Sequence, residues 1–379
     1  MYQEIVEALP WIFAWNDAQP ILDAVHTSGL EYANARTQRA LEHIGTIDSE
    51  LEQSMRGCLQ ALPHRAVCRF ITAPETLQRT ITLPVEKNPA RHISFLCNAL
   101  MAERALSQEG RGAARPCWTA LGDFYFCGGR NDPAVDMRDS TWTASVNGCA
   151  PRLTDSVPLD FVSPLAQSAT PCKSAFQPYT PEEIKVASNA LQDSFTRIGS
   201  VKPAAQIITG FAKVIVLRKD KPADLHSSSS MRNYPGRLML RNPEAADAGA
   251  LASSMIHESI HHFLYTVEFS GEFVSLEGAR VPSPWTGREL ALHSYLHACF
   301  VWYGLAQFWH KQLTMNVFEP QMIETQLSRA LAGFRTANPV DALVPQKSLF
   351  RPEPLQAASR LRDELLKIGA LDWRESNVA

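Results

Sequence analysis

The residues from Met255 to Phe269 read MIHESIHHFLYTVEF and contain the motif HESIH at positions 257–261. Apolar residues recur at three- and four-residue intervals through this stretch, which predicts a packed helix. Two histidines four positions apart lie on one face of a helix, where both imidazoles can reach one metal ion. With 11 histidines and 39 acidic residues, this composition yields roughly 0.03 such motifs by chance. A metal site held by His257 and His261 is therefore favoured over two helix-surface histidines that bind no metal.

The residue between the two histidines, Glu258, is rotated by about 100° from His257 around the helix axis. It can therefore reach a metal-bound water molecule or a position behind the ligands. A catalytic site with open positions needs a third protein ligand. The predicted helix from Gly287 to Lys311 offers His293 and His297, again four residues apart on one face. Either is a candidate ligand, and the other is a candidate contact for a substrate or an anion. The alternative for each of them is a buried histidine that binds no metal.

Carboxylates near the motif are alternative third ligands. Glu289 is favoured among them, because it shares the predicted helix with both downstream histidines. The sequence leaves the choice between these histidines and the carboxylates open. The candidate carboxylates are Glu268, Glu272, Glu277 and Glu289.

Strand signals precede the motif. Gln206–Leu217 and Arg237–Arg241 are bounded by turn residues and are predicted as strands. The second lies where a zincin-type site has the edge strand beside its metal helix. The polar tract His226–Ser230 between them is predicted as a loop. Further helices are predicted at 180–198, with Thr180 as N-cap, and at 244–268, 320–335 and 354–368.

These elements define three regions. Residues 1–110 are predicted as a helical N-terminal region and 181–379 as the HExxH metal-site domain. Residues 111–180 are rich in Gly, Pro and Ser and are predicted as a loop-rich or β connector, with strand-like pieces at 117–127 and 140–146. The predicted fold class is mainly helical α+β: a helical N-terminal region followed by a zincin-like metal-helix region with a small β-sheet.

The composition excludes several classes of protein. A chain of 379 residues with 20% charged residues and a net charge of −3 is typical of a globular protein and shows no basic excess for nucleic acid. The 8 cysteines include no CxxC pair, which argues against a cysteine zinc site. No long uncharged apolar run predicts a membrane helix, and the acidic N-terminus does not resemble a signal peptide. We expect a cytoplasmic location with reduced thiols.

The segment from His226 to Trp309 resembles a known family. The matching residues are SSSSMRNYPGRLMLRN, then MIHESIHHFLYTVEF, PSPWTGREL and LHACFVWYGLAQFW. They are similar to the HExxH-motif peptide-modification proteins, the α-ketoglutarate-dependent HExxH-type peptide β-hydroxylases. The N-terminal half shows no motif of that family.

The resemblance implies an Fe(II) centre held by His257, His261 and His297, with open positions for a 2-oxo acid and O₂. It implies Arg288 as the partner of a carboxylate of α-ketoglutarate, because a guanidinium binds a carboxylate bidentately. Glu258 would orient ligands or substrate. The implied substrate is a ribosomally synthesised precursor peptide, hydroxylated at a side-chain β-carbon. The chain departs from the family pattern at Glu289, where the family often has Pro, and at Ala298, where it has Gly.

Two other functions fit parts of the pattern. In a zinc metallopeptidase, His257, His261 and a downstream Glu would bind Zn²⁺, and Glu258 would be the general base. The motif alone favours this function, but the HExxHxxGxxH extension is absent. In a catalytically silent metal-binding or peptide-binding module, the N-terminal helices would bind the partner. The hydroxylase is the leading hypothesis.

Overall fold

The computed structural model describes residues 1–108, 116–127, 150–161, 179–220, 224–275 and 278–371. These ranges are mainly helical with a small mixed β-sheet, so the predicted α+β class is confirmed. The helices are α1 (Tyr2–Glu7), α2 (Leu9–Phe13), α3 (Gln19–Ile47), α4 (Ser49–Ala61), α5 (His64–Thr72), α6 (Pro74–Thr82), α7 (Ala90–Ser107), α8 (Pro181–Ile198), α9 (Lys202–Phe211), α10 (Ala248–Val267), α11 (Leu292–Met315), α12 (Pro320–Leu331), α13 (Pro352–Ser359) and α14 (Leu361–Lys367). The strands are β1 (Pro116–Trp118), β2 (Tyr125–Cys127), β3 (Arg152–Thr154), β4 (Val157–Asp160), β5 (Val214–Arg218), β6 (Ser227–Ser229), β7 (Arg237–Arg241), β8 (Val281–Pro282) and β9 (Glu289–Leu290).

The helical N-terminal region is confirmed by α1 to α7. Helix α3 ends at Ile47 and α4 begins at Ser49, with Asp48 between them. The Asp48 carboxylate accepts a hydrogen bond from the Leu51 N–H at 2.9 Å and so caps α4. No helix in the described ranges combines the length and apolar character needed to cross a membrane.

The larger sheet has the strand order β3-β4-β5-β7-β6. Strands β4, β5 and β7 run parallel, and their apolar side chains are buried on both faces, as parallel sheets require. Strand β6 pairs antiparallel with β7, with Ser227 opposite Arg241. The loop predicted at 226–230 is therefore wrong at 227–229. Backbone pairing with an exposed sheet edge forms a strand even from serines, because such pairing needs no apolar side chain.

The strand predicted at 206–217 is also wrong in its first half, which belongs to helix α9. Ile207 and Ile208 are buried there, so tertiary packing overrides their strand preference. Helix α8 is confirmed with its cap: the Glu183 N–H donates to Thr180 Oγ1 at 3.3 Å, and the Thr180 N–H donates to Glu183 Oε2 at 2.8 Å. The strand-like piece predicted at 140–146 lies outside the described residues, whereas β1 and β2 form an antiparallel pair within 117–127.

The chain divides into two compact units. The first unit contains residues 1–28, 193–211 and 247–379, and the second contains 29–192 and 212–246. The second unit holds the larger sheet and buried ion pairs, among them Arg237 with Glu75 and Arg69 with Glu103. The division of the sequence at residues 110 and 180 stays a prediction.

In the first unit, α10 packs against α11, and these two helices contain all the histidines of the motif region. Asp247 caps α10 by accepting a hydrogen bond from the Ala250 N–H at 2.7 Å. Gly304 of α11 lies so close to α10 that a Cβ there would stand 2.7 Å from Ile260 Cδ1. A glycine at this point therefore permits the close approach of the two helices.

The start of the second helix differs from the sequence prediction. Helix α11 begins at Leu292, not at Gly287, because residues 281–290 form the hairpin of β8 and β9. Gly287 has φ +68°, a conformation that favours glycine and does not continue a helix. Glu289 therefore lies in β9 and not on the histidine helix.

Candidate metal centre

The first group of metal donors is the HExxH motif itself on α10. His257, Glu258 and His261 each offer a ligand atom, and these atoms lie within 4.8 Å of one another. The two imidazole centroids are 5.0 Å apart. Both histidines are half-buried, whereas the Glu258 side chain is buried. The one-face arrangement expected from the spacing of the motif is present.

A second group of donors joins the end of α10 to the first turns of α11. Glu268, His293 and His297 offer ligand atoms that also lie within 4.8 Å of one another. Glu268 Oε2 is 2.6 Å from His293 Nε2 and 3.3 Å from His297 Nε2. Glu268 Oε1 accepts a hydrogen bond from the Phe273 N–H at 3.1 Å. Both carboxylate oxygens therefore have protein partners.

The two groups meet at a pair of imidazoles. His261 Nδ1 and His297 Nδ1 are 3.3 Å apart, and their rings are nearly parallel, with an angle of 23°. Two nitrogens that share a metal ion at the usual bond length stand about 2.9–3.4 Å apart in octahedral or tetrahedral geometry. The observed separation therefore suits two ligands of one ion as well as a direct hydrogen bond.

Tyr265 supports the histidines from one side. It lies one helical turn after His261, and its ring stacks on His261 at 19° and on His293 at 6°. Its centroid is also 5.1 Å from that of His297. A tyrosine ring packed against three imidazoles restricts their rotation, which preorganises the nitrogens.

The protonation states of these side chains favour metal binding. Desolvation lowers the pKa of His257, and the charge of Arg329 adds to this effect against the opposing charge of Glu258. Desolvation and the neighbouring histidines hold the pKa of His261 well below its usual value. Burial by itself would raise the pKa of Glu268, but hydrogen bonds from His293 and His297 bring it well below its usual range. Neutral imidazoles and an ionised carboxylate are the forms that bind metal.

An aromatic pair lies beside His257. The Trp302 ring packs edge-on against the His257 ring at 5.6 Å and stacks on Trp285 at 5.9 Å. The guanidinium carbon of Arg329 stands 5.4 Å from the centroid of Trp302. Trp285 Nε1 donates to the Ala330 carbonyl at 2.9 Å, which anchors this ring to α12.

The structure brings some predicted site residues together and leaves others apart. His257, Glu258 and His261 form one donor group, and His293 and His297 form the other with Glu268. Arg288 and Glu289 are exposed in the β8–β9 hairpin and belong to neither group. Glu289 was preferred among the carboxylates because it was expected to share a helix with His293 and His297, and that expectation is wrong. Glu277 lies outside the described residues.

Sequence reasoning missed Tyr265, Trp302 and Arg329, and it did not favour Glu268. Positions 257, 261, 265 and 268 follow one another at intervals of four, four and three, so they share one helix face. Extending the face of the motif by two turns would therefore have found Tyr265 and Glu268. Trp302 and Arg329 depend on the packing of separate helices and have no such signal.

The donor chemistry fits a divalent transition-metal ion. Imidazole nitrogen and carboxylate oxygen together suit iron and zinc, and the motif alone does not choose between them. No protein-family model matches the chain, and no curated protein matches it.

Proposed function

We propose that the chain is a non-haem Fe(II)- and α-ketoglutarate-dependent hydroxylase that acts on a side-chain β-carbon of a ribosomally synthesised peptide. The observation that supports it most is the third histidine. His297 Nδ1 lies 3.3 Å from His261 Nδ1, while its Nε2 faces Glu268. In the peptidase alternative a downstream glutamate is the third ligand, and the Glu268 carboxylate already lies beside two other imidazoles, at 2.6 Å from His293 and 3.3 Å from His297.

In this proposal His257, His261 and His297 hold the iron. The ionised Glu268 carboxylate is hydrogen-bonded to His293 Nε2 at 2.6 Å and lies 3.3 Å from His297 Nε2. A carboxylate beside Nε2 favours the His297 tautomer with its proton on Nε2 and its lone pair on Nδ1, the nitrogen that faces His261. Fe(II), α-ketoglutarate and O₂ together supply the oxidant that inserts one oxygen atom into a C–H bond, with release of succinate and CO₂.

The remaining residues exclude water and orient reactants. Trp302 covers one edge of His257, and Tyr265 covers the faces of His261 and His293. Apolar walls next to a reactive centre protect it from solvent and side reactions. Glu258 has its carboxylate beside both motif histidines, where it can orient a bound ligand or the peptide. The peptide substrate itself is inferred from the resemblance of residues 226–309.

The direct test is turnover of the 2-oxo acid. Purified protein would be loaded anaerobically with Fe(II), given ascorbate and α-ketoglutarate, and exposed to air with and without candidate precursor peptides. We expect succinate formation, stimulated by the correct peptide, and a mass gain of one oxygen atom on that peptide. If the loaded protein neither binds nor consumes α-ketoglutarate, the hydroxylase proposal fails.

The second candidate is a zinc metallopeptidase, favoured by one observation. The carboxylate of Glu258 lies within 4.8 Å of ligand atoms of both motif histidines, where a general base would activate a metal-bound water. Glu258→Gln separates the two functions. A peptidase would lose its cleavage of a reporter peptide in this variant, whereas the hydroxylase would keep its affinity for α-ketoglutarate.

A further inference from the structure

The second donor group contains more metal-binding atoms than the proposed iron centre uses. With three histidines on the iron, Glu268 is sufficient to hold the far nitrogen of His297, which lies 3.3 Å from it. His293 is left over, although its Nε2 lies 2.6 Å from the same carboxylate oxygen. The ligand atoms of Glu268, His293 and His297 all lie within 4.8 Å of one another, as do those of the HExxH group. The second group therefore offers three donors of its own.

Glu268 is a buried carboxylate whose ion-pair partners are histidines. In the parts of the chain that the structure describes, its ion-pair contacts are with His293 and His297, which are positively charged only when protonated. Two other buried carboxylates, Glu75 and Glu103, contact an arginine. A buried carboxylate needs a cation beside it to offset the loss of its hydration. A divalent ion bound to Glu268 would supply that positive charge permanently.

Tyr265 orients His293 as it orients a proposed iron ligand. The His293 ring stacks on Tyr265 at 6° and the His261 ring stacks on it at 19°, with centroids 5.9 and 6.0 Å away. The centroids of His293 and His297 are 4.2 Å apart. A ring that is already held by packing loses little conformational freedom when its nitrogen binds an ion. His293 is therefore preorganised for coordination.

We infer that Glu268, His293 and His297 bind a second divalent ion, so that the centre holds two metal ions. The inference rests on the proposed function for the ligands of the first ion. His297 then serves both ions, the first through Nδ1 and the second through Nε2, whose proton passes to solvent. Imidazole nitrogen and carboxylate oxygen suit Zn²⁺ at this second position.

The contacts of Glu268 are close to those that a shared ion requires. Two ligand atoms of one ion stand about 2.9–3.4 Å apart, so the contact with His297 already fits and the contact with His293 has to open by about 0.5 Å. Coordination replaces the hydrogen bond between Glu268 and His293, so neither group is left unsatisfied. Repulsion between two divalent ions makes the second ion bind more weakly than the first.

Metal stoichiometry tests the inference. Metal-free protein would be dialysed against Zn²⁺ up to about 0.1 mM free ion, which fills sites with a Kd below about 10 μM, and bound zinc would be measured by elemental analysis. We expect the wild type to bind two ions. His293→Phe keeps a ring to stack on Tyr265 but has no nitrogen, so it should bind one ion with unchanged affinity. His310→Phe is the matched control, because His310 lies on the same helix outside both donor groups, and it should bind two.

Several outcomes would overturn the inference: a single ion on the wild type, two ions on His293→Phe, or a loss in His310→Phe, which would place the second ion elsewhere. Loss of both ions in a folded His293→Phe would make His293 a ligand of the first ion and would overturn it as well. Thermal melting checks the fold. If His293→Phe is unfolded, His293→Gln takes its place with the same expected count, because its amide can keep the hydrogen bond to Glu268.

This assay separates the inference from the proposed function, because no 2-oxo acid enters it. A protein that binds two zinc ions as described but consumes no α-ketoglutarate loses the proposed function and keeps its second metal site. A protein that consumes α-ketoglutarate and binds only one ion keeps the proposed function and loses the inference.

Discussion

Replacing Glu268 with glutamine tests the role of the carboxylate behind the histidines. The substitution keeps the shape of the side chain and one carbonyl oxygen, so the hydrogen bond from the Phe273 N–H can persist. It removes the negative charge that lies 2.6 Å from His293 Nε2 and 3.3 Å from His297 Nε2. His297 then loses the partner that fixes its tautomer and ring orientation.

The expected magnitude follows from these contacts. Loss of a carboxylate partner behind a metal-binding histidine lowers metal affinity by about 10- to 100-fold, or about 1.4–2.7 kcal/mol. Competition of Zn²⁺ or Co²⁺ with a chelator of known affinity would measure this change, and circular dichroism would check that Glu268→Gln is folded. Glu289→Gln is the matched control, because Glu289 is exposed in β9 and outside both donor groups.

Two outcomes would refute this reasoning. Wild-type metal affinity in Glu268→Gln would show that the carboxylate does not prepare His297 for binding. A loss in Glu289→Gln would return this glutamate to the ligand set. Complete loss of metal in Glu268→Gln, comparable with His257→Ala, would instead make Glu268 a direct ligand.

Three further substitutions test other contacts. His297→Ala should lower metal affinity by at least about 100-fold in the same chelator competition, because one of the three proposed metal ligands is removed. Full metal occupancy in this variant would exclude His297 from the ligand set. Arg237→Leu removes a buried ion-pair partner of Glu75 and should cost about 3 kcal/mol in urea unfolding; an unchanged midpoint would show that the pair adds nothing. Gly333→Ala places a Cβ in collision with the Trp285 ring and should cost about 1–3 kcal/mol and shift tryptophan fluorescence. If neither change is seen, the ring relaxes freely around the added methyl group.

The HExxH helix could be predicted from sequence because its signals are local. The apolar repeat of residues 255–269 and the four-residue spacing of the histidines both depend on helix geometry alone. Strand β7 was predicted for the same reason, since RLMLR is short and bounded by turn residues. The N-cap at Thr180 is likewise predicted from the sequence, and the structure has it as a full capping box.

The secondary structure was predicted wrongly where tertiary packing or strand pairing determines it. Residues 206–211 have β-branched side chains and still form α9, because their apolar face is buried. The serines of β6 form a strand only because β7 offers a free edge. The start of α11 was misplaced because the hairpin before it depends on the pairing of β8 with β9. Neither pairing leaves a periodic signal in so few residues.

The metal-ligand set could be predicted only in part from the sequence. The spacing of His293 and His297 indicated a second histidine face, but spacing cannot say which nitrogen points toward the motif. That depends on the approach of α11 to α10, which Gly304 permits at a point seven residues beyond His297. The reason for preferring Glu289 is wrong on the same ground, because it assumed a helix that begins five residues too early.

The bonding of Glu268 bears most directly on the choice between hydroxylase and peptidase. For Glu268 to serve as the third ligand of a peptidase, it would have to give up its hydrogen bond to His293 and its 3.3 Å contact with His297. Leaving buried donors unsatisfied costs about 1–3 kcal/mol for each group. His297 can act as a ligand without breaking these contacts, because its Nδ1 faces His261 at 3.3 Å while Glu268 lies beside its other nitrogen. The arrangement with three histidines is therefore the one that leaves every observed contact of Glu268 in place.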